Sequence, residues 1–79
     1  MIRTVAIVAR TRDPHRQAEA LRAALGLTLR GATIIVVVEE PLLSPVAERA
    51  ALTLRSFGHA VGAPLAEAIA AADAVEVWT

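Results

Sequence analysis

The chain has 79 residues, 56% of them hydrophobic, with eight basic and eight acidic side chains and no cysteine. That composition excludes disulfides, thiolate catalysis and zinc–thiolate sites. A formal net charge of zero gives no long-range field to attract nucleic acid, and Phe57 and Trp78 alone make no base-stacking platform.

A chain of this length is expected to fold as one domain, 1–79, burying about 60–65% of its unfolded surface. No apolar run approaches the roughly 18–20 residues that span a bilayer. The run after Met1-Ile2-Arg3 is also too short for a secretory leader, so a cytoplasmic protein without membrane contact is expected. The surplus of apolar surface points to a subunit interface.

Taken in order, Thr4-Val5-Ala6-Ile7-Val8-Ala9 is nearly free of polarity, as suits a strand buried on both faces of a parallel sheet. The charged run Arg10-Thr11-Arg12-Asp13-Pro14-His15-Arg16 follows at its C-terminal end, where open α/β sheets bind ligands. Asp13-Pro14 pairs an N-cap with a first-turn proline and predicts a helix from Pro14 to about Arg30, stopped at Gly31. Helical spacing puts Ala18, Leu21, Leu25, Thr28 and Leu29 on one stripe. Ala20, Ala24 and Leu27 form an apolar shoulder beside it, so the apolar arc is roughly twice what one sheet face requires. Gly26, in mid-helix, reads either as the close approach of a neighbouring backbone or as simple tolerance of a small residue.

Ala32–Val38 is a second β-branched strand, ended by Glu39-Glu40-Pro41. Ser44-Pro45 opens a helix that runs to about Phe57 and closes at Gly58. Val46, Ala50, Thr53, Leu54 and Phe57 form its expected core stripe, and Leu52 stands among its polar residues. His59-Ala60-Val61 suffices only for a short strand. A third helix is expected over Leu65–Ala72, with Leu65 and Ile69 inward. Ala74–Trp78 then alternates, Val75 and Val77 on one face and Glu76 and Trp78 on the other, which marks an edge strand or an uncovered face.

The order β-α-β-α-β-α-β implies an α/β fold, a three-layer α/β/α sandwich around a four-stranded parallel sheet. With flavodoxin-like strand order 2-1-3-4, right-handed crossovers place the first helix alone on one face. Strands three and four are then bare beside it, and a second copy of the chain is expected to cover the gap and the helix shoulder.

The segment Glu19-Ala20-Leu21-Arg22-Ala23-Ala24-Leu25-Gly26-Leu27 follows the buried first strand. Arg30-Gly31, the Gly58 turn and the closing Ala71-Ala72-Asp73-Ala74-Val75 complete a pattern along nearly the whole chain. In these features it resembles the DsrE/DsrF-like group of small sulfur-relay proteins, which includes the TusBCD and DsrEFH subunits. The resemblance implies a small α/β/α subunit in dimers, trimers or hexamers that carries persulfide sulfur or supports a subunit that does. Active members carry the sulfur on a cysteine. This chain has none, and so looks more like the cysteine-less subunits that serve in assembly.

Arg10, Arg12 and Arg16, with Asp13 and His15, surround the start of the first helix as a candidate anion site for phosphate, sulfate or a carboxylate. The alternative is a set of solvated charges that pair with Glu39 and Glu40. Neither G-x-G-x-x-G nor a Walker loop is present, so nucleotide binding has no motif behind it. Asp13 serves as the cap, which leaves it little freedom to act as a base, and His15 has no nucleophile beside it. No catalytic residue is therefore assigned. His15 and His59 fall at opposite ends of a parallel sheet and Glu39-Glu40 lack ligand spacing, so neither metal nor cofactor is expected. The interface candidates are Ala20, Ala24, Leu27, Leu52 and Trp78. The expected function is a non-catalytic oligomeric scaffold or partner subunit, associating with itself or with related DsrE-like subunits. The alternative is a small-anion or metabolite-binding module built on the Arg10–Arg16 strand tip.

Overall fold

In the computed structural model, which describes residues 3–79, the first apolar run forms strand β1 (Thr4–Ala9) at the sheet interior. Met1 and Ile2, at the start read against a leader, lie outside the described residues. The remaining elements are α1 (Pro14–Thr28), β2 (Thr33–Val38), α2 (Pro45–Ser56), β3 (Ala60–Val61), α3 (Leu65–Ala71) and β4 (Ala74–Trp78). Both predicted caps form: Asp13 Oδ1 accepts the His15 N–H at 2.9 Å, and Ser44 Oγ accepts that of Ala47 at 3.1 Å. Gly31 and Gly58, at φ of +83° and +87°, take the left-handed turns that follow the first two helices. A Cβ at Gly26 meets nothing within 4 Å, so that glycine reflects tolerance and no close approach.

The sheet is four-stranded and wholly parallel, in the order β3-β2-β1-β4. The α/β class is as predicted, but the order 2-1-3-4 is not. The reason lies in the length of β3. A two-residue strand beside β1 would leave most of that strand's backbone polar groups unpaired. Five-residue β4 takes that edge instead, in register from Val5↔Ala74 to Ala9↔Trp78, while β3 pairs with Ile35 and Val36 of β2.

The new order redistributes the helices. Steps from β1 to β2 to β3 run in one direction, so right-handed crossovers place α1 and α2 together on one face. The return to β4 puts α3 on the other. The main core joins Val5, Ile7, Ile34 and Val36 to Ala20, Leu21 and Ala24 of α1 and Ala47, Ala50 and Leu54 of α2. The wide apolar arc of α1 is thus divided between the sheet and α2, and it is α2, not a second copy, that takes up the surplus. Ala20 and Ala24 are completely buried within the chain and have no surface to offer a partner. Leu29, assigned to the core stripe, is 88% exposed, because α1 has already ended at Thr28.

In α2 the buried face is Ala47, Ala50, Ala51 and Leu54, an i, i+3, i+4, i+7 stripe, while Val46, Thr53 and Phe57 are exposed. In seven-residue α3 the inward residue is Ala68, not Ile69. That helix packs chiefly on β1 and β2. The bare part of the sheet is therefore the α3-side face of β4, where Val75 and Val77 are 43% and 62% exposed.

Candidate functional site

Strand order 3-2-1-4 puts the topological switch point between β1 and β4, and ligands in open α/β sheets bind outside the carboxyl ends of the strands at such a point. Here that place is the turn from β1 into α1, Arg10 to Asp13, with Trp78 and Thr79 alongside. The Arg10 N–H donates to the Trp78 carbonyl at 2.9 Å, which ties the turn to the end of β4. Thr11 Oγ1 accepts the Asp13 N–H at 3.1 Å and holds the turn that presents the cap.

Arg10 and Arg12 line a cleft of about 200 Å³ together with Ala9, Thr11, Gln17 and Glu39. Neither arginine forms an ion pair among the described residues. Gln17 was not singled out from the sequence, yet it is the one buried polar residue described, and its Oε1 accepts the Leu43 N–H at 2.9 Å. It fastens the segment after Glu39 and Glu40 to α1 beside the cleft. The signal was available: Gln17 stands at the start of an i, i+3, i+4, i+7 series with Ala20, Leu21 and Ala24, where every other member is apolar.

The other predicted members of the anion site point elsewhere. Asp13 is occupied as the N-cap. His15 Nε2 lies 3.0 Å from Glu19 Oε1 one helical turn on. The Arg16 guanidinium lies 5.0 Å from the centroid of the Trp78 ring, its Nε donates to the Thr79 carbonyl at 3.3 Å, and Glu19 is 4.0 Å away. Arg16 is thus a clamp on the end of β4 and no part of the cleft. The expected pairing of the arginines with Glu40 does not occur, because Glu40 bonds Arg55 of α2 at 2.6 Å. Glu39 sits in the cleft as a competing carboxylate.

A larger groove of about 430 Å³ runs between the starts of α1 and α2, past Pro14, Ala18 and Val46. It is open and mostly apolar, and none of its lining comes from the Arg10–Asp13 turn. His15 and His59 lie at opposite ends of the sheet as expected: His59 Nδ1 accepts the Ile34 N–H at 3.1 Å, at the start of β2. No group of three or more metal-ligating side chains occurs among the described residues. No helix among them is long and apolar enough to cross a membrane.

Of the interface candidates, Ala20 and Ala24 are buried, Leu27 packs half-buried against the core, and Leu52 is 67% exposed on α2. Trp78 is half-buried on the α1 side of the sheet beneath Arg16, so it does not lie on the uncovered face, which belongs to Val75 and Val77.

No family model matches the chain, and no curated protein or solved structure matches it.

Proposed function

We propose that the chain is a non-catalytic, self-associating domain of the DsrE/DsrF-like kind, a scaffold or partner subunit in a sulfur-relay type system. The observation that carries the self-association is the open face of β4, while the sulfur-relay part rests on the sequence resemblance alone. Val75 and Val77 stand exposed on the outermost strand, and Ile69 of the adjoining layer is 51% exposed. A small domain gains by covering such a patch, and another copy of the chain offers the same apolar side chains. The chemistry at the strand tip agrees with an assembly role. Without cysteine the chain forms no persulfide of its own, Asp13 is held in its cap, and His15 is paired with Glu19. Sedimentation velocity across micromolar concentrations tests the self-association. An oligomer is expected, and a monomer throughout rejects it. Calorimetric titration with a cysteine-bearing DsrE-like subunit tests the sulfur-relay partnership.

A second reading, a small-anion site, is favoured by one observation: Arg10 and Arg12 face a cleft at the switch point without ion-pair partners among the described residues. Phosphate or sulfate should then raise the melting temperature of the wild type and leave the Arg10→Ala/Arg12→Ala variant unmoved. Equal shifts in both remove the site.

A further inference from the structure

We infer that two copies of the chain join through β4, edge to edge and antiparallel about a two-fold axis at Val77, to make one eight-stranded sheet. The inference rests on the self-association proposed above and adds its surface and its register. β4 is an edge strand, and among the described residues its strand neighbour is β1. Because the Arg10 N–H reaches the Trp78 carbonyl, the polar backbone of Trp78 is turned toward β1. Backbone direction alternates along a strand, so the N–H and C=O of Val77 are aimed at the open edge. Across a two-fold axis at Val77 they meet the same groups of the second copy as a hydrogen-bonded pair.

Charge selects this register. An axis at Glu76 would set two carboxylates directly opposite each other, which opposes pairing. An axis at Val77 sets Glu76 opposite Trp78 of the second copy, on the same face of the sheet. There the Arg16 guanidinium lies 5.0 Å from the indole centroid and is bonded to the Thr79 carbonyl. Glu76, which has no ion pair among the described residues, thus meets the cation that clamps the facing strand. On the opposite face Val77 stands directly beside Val77 of the second copy and Val75 beside its Thr79, so pairing takes exposed valine surface out of water at the strand edge.

The absence of native cysteine makes the register directly measurable. Val77→Cys, Glu76→Cys and Val75→Cys each carry one thiol, and oxidation followed by a non-reducing gel reports which of them cross-links. A hydrogen-bonded antiparallel pair has Cα atoms about 5.5 Å apart, within disulfide reach. In the Val77 register the two copies of residue 76 stand roughly 8 Å apart, and those of residue 75 farther still, beyond reach. Val77→Cys should therefore cross-link efficiently, at least about tenfold faster than either neighbour. Val77→Lys should dissociate the dimer while keeping its circular dichroism. Arg16→Glu should weaken the dimer at least tenfold, and adding Glu76→Arg should restore it. Preferential cross-linking at residue 76 or 75 overturns the register. A wild-type oligomer that cross-links at none of the three, and that Val77→Lys leaves intact, overturns the β4 interface while the self-association stands. A wild-type monomer overturns both.

Discussion

Replacing Gln17 by methionine tests whether this side chain fastens α1 to the segment over the strand tip. The residue is 2% exposed, and its Oε1 accepts the Leu43 N–H at 2.9 Å. Methionine fills nearly the same volume and keeps the helix, but it removes the acceptor. The orphaned donor is only part-buried, so the cost falls at the lower end of the usual range, about 1–2 kcal/mol. Alanine loses the bond and also leaves a small cavity, raising the cost to about 2–4 kcal/mol. Urea unfolding with an m-value of about 1 kcal/mol/M should then move its midpoint down by roughly 1–2 M for Gln17→Met, with the slope unchanged. Protein concentration must be held fixed, because the proposed self-association would add its own stability. The Leu43 amide should exchange faster than in the wild type. A Gln17→Met variant within about 0.3 kcal/mol of the wild type, with Leu43 exchange unchanged, would show that the bond carries nothing and refute the reasoning.

Ala24→Leu should destabilise the monomer fold by about 1–3 kcal/mol through overpacking between the sheet and α2. Unchanged stability with an altered sedimentation coefficient would return Ala24 to the surface. Asp13→Ala should cost about 1 kcal/mol and lower the melting temperature by about 4–8 °C, because the His15 N–H loses its acceptor. His59→Ala should cost about 1–3 kcal/mol and speed exchange of the Ile34 amide, with no change in exchange at Gln17 in the first turn of α1, at the opposite end of the sheet.

The strands and helix starts were legible because their causes are local. Asp13-Pro14 and Ser44-Pro45 carry their caps within three residues, and Thr4–Ala9 is apolar on both faces. Strand order was not legible, because it depends on which strand best satisfies the second edge of β1, a comparison between segments far apart in the chain. The width of the apolar arc on α1 was read correctly, and its cause was misassigned. Once α2 lies on the same face, the same arc is filled inside one chain. The stripes of α2 and α3 were misread for a related reason. Large apolar residues were favoured over alanine, yet close packing of helices on a sheet selects small side chains such as Ala47, Ala51 and Ala68 at the contact.

The strand tip shows where sequence reasoning about a site stops. Its position follows from a general rule about parallel sheets, so Arg10 to Arg16 could be placed before any coordinates. Its division could not. Arg16 is drawn away from Arg10 and Arg12 by Trp78 and by the Thr79 carbonyl 63 positions along the chain. That contact exists only because β4, and not β3, lies beside β1. The same strand order that leaves Val75 and Val77 uncovered also carries Arg16 to the edge where a second strand would arrive. Three arginines that look alike in sequence thus separate into two groups: Arg10 and Arg12 face the cleft, and Arg16 clamps the open edge. Arg16→Glu should therefore weaken association without changing an anion response, while Arg10→Ala with Arg12→Ala should do the reverse. A variant of either kind that moved both readouts equally would mean that the tip and the edge form one site.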